Sequence, residues 1–304
     1  TAGGGYGKMR AACACSSFRS RRIMMMILRS SLSAALVCLS TSALVAQTHQ
    51  ERVEDADTNT VLGPRTLPVQ SQSVFGFGPW QSVQVNIDAQ GNNILNDAAN
   101  EPSIAIDPND PSRIIIGWRQ FDNVSSNFRK NGWSYSHDGG ATWTFPGSIQ
   151  PTLFNSDPVL ETDLNSTSYY LSYPGGTTLT LFSSNDGGVS WSSPTTLIGG
   201  DKAWMTVDKS GGVGDGHLYV IWQVAHGPNT FTRSTNGGAS FESPVSVPLV
   251  PTFGTVTVDS NGDVLCAGLN QQFFNSFVFA KSTNAKNAGQ TPSFTTINVN
   301  MGGS

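Results

Sequence analysis

Ser136-His137-Asp138-Gly139-Gly140-Ala141-Thr142-Trp143 decides the fold, because the same pattern returns along the chain. It recurs as Ser184-Asn185-Asp186-Gly187-Gly188-Val189-Ser190-Trp191 and, with substitutions, as Ser234-Thr235-Asn236-Gly237-Gly238-Ala239-Ser240-Phe241. A fourth copy opens at Ser282-Thr283-Asn284 and reaches its closing Ser293-Phe294 only after an insertion. The central Asp or Asn stands at 138, 186, 236 and 284, in steps of 48, 50 and 48 residues. A near-constant period with turn chemistry at its heart is the mark of a repeat architecture.

Each residue type in the pattern has a physical role. Asp or Asn in a tight turn accepts hydrogen bonds from backbone amides further along the turn. The Gly-Gly pair supplies positive φ without a Cβ penalty, and the closing aromatic residue covers the turn with apolar area. Alternating runs precede every copy: Trp133-Ser134-Tyr135, Leu179-Thr180-Leu181-Phe182, Phe231-Thr232-Arg233 and Phe277-Val278-Phe279. Each copy therefore caps a β-hairpin.

The pattern resembles the Asp-box, or bacterial neuraminidase repeat, Ser-x-Asp-x-Gly-x-Thr/Ser-Trp. Ser136, Asp138, Gly140 and Trp143 match it, as do Ser184, Asp186, Gly188 and Trp191. Ser234, Asn236, Gly238 and Phe241 form the substituted copy, and the fourth is degenerate. The resemblance spans roughly residues 98–300 and implies an all-β, sialidase-like β-propeller of four-stranded antiparallel blades. In that family the box joins the third and fourth strands on the rim away from the active site. The boxes are therefore expected to be scaffold.

The rest of each repeat reads consistently. A first strand ending in Asp precedes each box: Pro102–Asp107, Pro158–Asp163, Ala203–Asp208 and Gly254–Asp259. A polar turn and a second strand follow, at Arg113–Trp118, Tyr169–Tyr173, His217–Trp222 and Val264–Ala267. Blades are thus expected over about 98–150, 151–200, 201–250 and 251–304 within a propeller domain at 81–304. Gln81–Ile87 alternates and reads as a strand before the first repeat; in propellers, which the resemblance implies, an N-terminal strand often completes the last blade. Sialidases have six blades, so four imply part of a longer, truncated propeller; a closed four-bladed ring is the alternative.

Residues 1–46 read as a leader, with Arg19, Arg21, Arg22 and Arg29 before the apolar stretch Ser31–Ala46. Residues 47–80 read as a polar linker. The expectation is export, to the outside of the cell, its surface or the periplasm, with no membrane span once the leader is removed. Six of the 17 basic residues lie in the leader and none of the 21 acids does, leaving 11 basic against 21 acidic residues. That balance opposes phosphate-backbone binding and excludes nucleic acid as the expected partner. Cys13, Cys15 and Cys38 fall in the leader as well, so Cys266 is left without a disulfide mate and reads as a small core residue.

Chemistry is expected at the end opposite the boxes, where first strands begin and second strands end. Those positions hold Asn100-Glu101, Asp157, Asp201-Lys202, Arg119-Gln120, Tyr173, Gln223 and His226. Glu101, Asp157 and Asp201 are the candidate catalytic carboxylates. Arg119, Gln120, Lys202, Gln223 and His226 are the candidate ligand-binding residues, with Arg119 the anchor for an acidic sugar because its fork suits a carboxylate. The alternative is that these charges cap strands and pair between blades.

The resemblance implies more than this set for catalysis. A sialidase uses three arginines for the sugar carboxylate, a Tyr nucleophile assisted by a Glu, and an Asp acid/base, and neither the triad nor the Tyr is identifiable here. Two readings stay open: an exo-sialidase-type glycoside hydrolase acting on extracellular glycans, or a non-catalytic propeller that binds glycan or protein. No cofactor is expected. Asp259–Asp263 and Asp208–Asp215 are weak candidates for calcium, but Asn261-Gly262 between apolar strands fits a hairpin turn. The four His residues show no zinc spacing.

Overall fold

A computed structural model of the chain describes residues 74–223, 227–271, 275–300 and 302, with only the backbone described at 74–77, 80 and 81. The expected leader and residues 47–73 of the expected linker lie outside this set.

Four sheets of four strands follow one another, each a simple antiparallel meander. The first contains β3 (Ala98–Ile106), β4 (Ile114–Phe121), β5 (Lys130–Ser136) and β6 (Thr144–Ser148). The second contains β7 (Ser156–Thr162), β8 (Ser168–Tyr173), β9 (Thr178–Ser184) and β10 (Thr195–Ile198). The third contains β11 (Trp204–Val207), β12 (Leu218–Ile221), β13 (Asn229–Ser234) and β14 (Val245–Ser246). The fourth contains β15 (Pro251–Val258), β16 (Val264–Asn270), β17 (Ser276–Ser282) and β18 (Thr295–Asn300). No helix occurs among the described residues, and none there is long and apolar enough to cross a membrane.

The chain before these blades departs from expectation. Among the described strands β1 (Val74–Phe77) and β2 (Trp80–Val83) pair with each other and join none of the four blades, and of the expected strand at 81–87 only residues 81–83 are in β2. Gly78 at φ 61° followed by Pro79 makes the two-residue turn that closes this hairpin.

Alternation along each strand gives every blade two faces, and the blades stack face to face through them. Ala105, Ile115 and Trp133 of the first blade meet Leu160, Tyr170 and Phe182 of the second. Val159, Leu171 and Leu181 then meet Met205, Leu218 and Val220, and Tyr219, Ile221 and Phe231 meet Val256, Val264 and Cys266. Burying a Val, Leu, Ile, Phe or Met side chain is worth about 1.5–3 kcal/mol, so the inter-blade layers are the core. Gly117 lets the first two blades approach closely: a Cβ there would lie 2.5 Å from the Tyr170 ring. The innermost strands pack in succession, β3 on β7, β7 on β11 and β11 on β15.

The repeated turns behave alike. Asp138 accepts from the Thr142 amide at 2.9 Å and its hydroxyl at 2.6 Å, while Ser136 Oγ accepts from the Gly140 amide at 2.9 Å. The two bonds from Thr142, with a third from Ser136 Oγ at 2.7 Å, hold the Asp138 carboxyl down to about 2. Asp186 makes the same bonds to Ser190, while Asn236 accepts from the Ser240 amide through Oδ1 and donates to the Ser240 hydroxyl through Nδ2. In the degenerate copy Asn284 still accepts from the Ser293 amide at 2.9 Å, across the insertion. The inserted loop in turn caps the buried Arg233 of the third blade, through the carbonyls of Ala285, Asn287 and Gln290, and the Glu242 carboxylate completes the cap. The Gly139 amide bonds to Ser112 O at 3.0 Å, so the box turn shares one end of the blade with the turn between β3 and β4.

Candidate functional site

At the other end, the inner strands lose register. The pairing slips between Asn100 and Ser103, between Ser156 and Val159, and between Thr252 and Thr255. One residue at each slip is driven to positive φ: Glu101 (51°), Asp157 (51°) and Phe253 (48°). Lys202 (54°) occupies the matching position just before β11. All four stand the same distance before a strand-ending Asp: 107, 163, 208 and 259. A non-glycine residue in this region costs roughly 1–2 kcal/mol, and strain of this kind gathers at functional sites.

The four strained residues line one cavity of about 400 Å³. Trp204, Pro102, Pro158 and Gly254 complete much of its wall. Trp204 and Phe253 are each 43% exposed, so two aromatic surfaces remain open to solvent.

Arg119 lies behind this wall, 4% exposed, and holds two blades together. Its Nε is 2.7 Å from Glu101 Oε2 and its Nη2 is 2.7 Å from Asp157 Oδ1. Asp157 also accepts from Ser156 Oγ at 2.6 Å and from the Lys202 amide at 3.3 Å. Burial opposes the Asp157 charge, but the bonds from Ser156 and Arg119 and the charges of Lys202 and Arg119 outweigh it, and its carboxyl sits below the usual range. Asp201 is shifted the other way, by burial and then by the Asp157 charge and a hydrogen bond to it. Gln223 Nε2 donates to Asp201 Oδ2 at 2.7 Å. Burial and the two aspartates push the Tyr173 phenol up, and its hydroxyl donates to Gly176 O at 3.1 Å.

Of the residues expected at this end, Glu101, Asp157 and Lys202 line the cavity, and Arg119, Asp201 and Gln223 form the paired layer behind it. Gln120 points elsewhere: its buried amide bonds Asp97 and accepts from Trp118 Nε1 at 2.7 Å. Neighbouring residues on a strand face opposite ways, so Arg119 and Gln120 could not both turn to one side. His226 lies outside the described residues. Phe253 and the wall role of Trp204 were not anticipated. Counting back from Asp259, as from the other three strand-ending aspartates, would have found Phe253.

The loops considered for calcium are occupied from within. Asp259 accepts from the Asn261 and Asp263 amides, and Asp263 faces Lys281 and Lys286. Asp208 accepts from the Ser210 amide at 2.9 Å and Asp215 from the Gly211 amide at 3.3 Å. Among the described residues, no three His, Cys, Asp or Glu side chains gather as metal ligands would. Burial pushes the Cys266 thiol up to about 12, as suits a packing residue.

No protein-family model matches the sequence, and no curated protein does. Among solved structures, a Dyadobacter fermentans protein of unknown function is similar at 18% identity and TM-score 0.51, over 70% of this chain and 71% of that one. The intramolecular trans-sialidase of Ruminococcus gnavus gives 16% identity and TM-score 0.41, over 61% of this chain and 46% of that one. The Aleuria aurantia lectin gives 14% and 0.42, over 63% and 57%. This chain therefore spans about half the length of those last two proteins. At such identities the likeness concerns fold alone.

Proposed function

We propose that this is an exported, sialidase-like propeller module whose bulge-lined cavity binds extracellular glycans. The observation that carries the reading is the convergence of four non-glycine residues at positive φ, one per blade, on a single cavity. Each could be a glycine at lower conformational cost, and each instead presents a side chain to the same space. Trp204 and Phe253 offer flat apolar surfaces for the C–H faces of a sugar ring, and Glu101 and Asp157 offer acceptors for its hydroxyls. Uncovered apolar side chains at the end of the blade series support a larger ring. Phe279 and Ile297 of the fourth blade are 50% and 69% exposed at positions where earlier blades are covered by the next one.

Hydrolysis is the second reading, favoured by the opposite shifts of Asp157 and Asp201, the pattern expected of an acid and a base. Two features weigh against it. Asp157 is held by Arg119 and Ser156 and Asp201 by Gln223, so both carboxyls are already engaged within the chain. Tyr173, with its proton held more tightly than usual, is a poor nucleophile. Binding is therefore the stronger reading. The test is a glycan array with the Trp204→Ala and Phe253→Ala variants, run beside fluorogenic glycoside hydrolysis. Binding lost in both variants at unchanged melting temperature is expected, and an array with no bound glycan would overturn the reading.

A further inference from the structure

The geometry points to Glu101 as a specificity determinant that keeps acidic sugars out of this cavity and leaves it to uncharged ones; the inference rests on the glycan-binding reading above. Recognition of a sugar carboxylate calls for a guanidinium whose fork is free to meet it. Arg119 carries that fork, but both of its engaged nitrogens already face carboxylates of its own chain, Glu101 at 2.7 Å and Asp157 at 2.7 Å. Glu101 lines the cavity and is 43% exposed at its side chain, while Arg119 is nearly buried. The Glu101 carboxylate thus stands where a ligand carboxylate would have to stand to reach Arg119.

The backbone fixes this arrangement. Glu101 sits at φ 51° within the register slip of β3, so its direction is set by the bulge rather than by a flexible loop. Asp157, at the equivalent place in the next blade, holds a second nitrogen of the same guanidinium. An incoming anion therefore finds both engaged nitrogens already paired with carboxylates whose like charge disfavours it, which leaves Lys202 on the cavity wall to attract it. A neutral pyranoside meets no such opposition, and its hydroxyls can donate to those same oxygens.

Matched glycosides test this on the full chain. Methyl glucoside and methyl glucuronide differ only in a C6 carboxylate, as do methyl galactoside and methyl galacturonide. By titration calorimetry the wild type should bind a neutral member roughly tenfold or more tightly than its uronide. Glu101→Ala removes the charge and vacates its place, so the preference should shrink strongly or invert. Glu101→Gln removes the charge but keeps the place filled, and should shift the preference part of the way. Equal wild-type affinity for both members of a pair would overturn the proposal. So would a preference unchanged in Glu101→Ala, or in folded Glu101→Gln should the alanine variant fail to fold. If no neutral or acidic glycoside binds, the glycan reading itself falls and this inference falls with it.

Discussion

Replacing Arg119 by Leu tests the paired layer behind the cavity most directly. The guanidinium is 4% exposed and is held at 2.7 Å by each of two carboxylates that come from different blades. Its removal leaves Asp157, only 9% exposed at its side chain, with a buried charge facing an apolar group. Breaking a buried pair in this way costs about 3–5 kcal/mol. For a domain of this size that lowers the melting temperature by about 6–12 °C at the smaller of those costs. The two arms should differ, because Glu101 is far more exposed than Asp157. Glu101→Gln should cost below about 1 kcal/mol, and Asp157→Asn clearly more. Pairing Arg119→Met with Asp157→Asn should recover part of the loss, giving a coupling of about 1–3 kcal/mol in a double-mutant cycle. Urea unfolding with unchanged m-values is the assay. Since the Asp157 carboxyl titrates below its unfolded value, its contribution is present above about pH 4 and lost as pH falls through the folded value. The cost of Arg119→Leu should shrink in the same window. An Arg119→Leu protein as stable as the wild type at neutral pH would refute the buried clamp.

Three further outcomes follow from the same geometry. Asp186→Ala, which removes the bonds to Ser190, should destabilise the second blade by roughly 1–2 kcal/mol and leave glycan affinity of the folded protein unchanged; lost affinity at full stability would place the boxes in the site. Phe253→Gly should hold or raise stability by up to about 1 kcal/mol while weakening binding, whereas Phe253→Val should lose about 1 kcal/mol, because φ 48° suits glycine and not a β-branched residue. Asp201 is the converse of Asp157: its folded carboxyl titrates above the unfolded one, so it favours folding at low pH and that advantage is lost as pH rises through the folded value. Asp201→Asn should therefore raise the melting temperature at pH 7 relative to pH 4, and a pH-independent difference would contradict the assigned shift.

The blades were legible because their signals are local. The box spacing, the alternating runs and the Asp that ends each first strand all act within a few residues, and the third and fourth boxes close with the same bonds despite Asn for Asp. The hairpin at 74–83 escapes a sequence reading because Gly78-Pro79 lies within a polar, linker-like stretch, and alternation at 81–87 says nothing about which strand becomes the partner. The mouth was legible only in outline. Strand ends named Glu101, Asp157 and Lys202, but the register slips depend on pairing with the next strand, which no single segment reports. Likewise the spacing of Arg119 from its partners shows a fork near carboxylates, and only the folded chain shows that those carboxylates already occupy it.

Stacking in succession also governs how such a molecule opens. The second and third blades carry a neighbour on each face, so their amides should exchange with deuterated water most slowly, as in other architectures with nearest-neighbour energetics. The fourth blade, with Ile297 largely exposed, would otherwise fray strand by strand from β18. Arg233 changes that. Its buried guanidinium, anchored in the third blade, holds carbonyls of the loop that joins β17 to β18. To let that loop go, the buried guanidinium must give up those carbonyls and keep Glu242 as its remaining partner. The insertion in the last box thus acts as a latch, and the fourth blade should open as a unit or not at all.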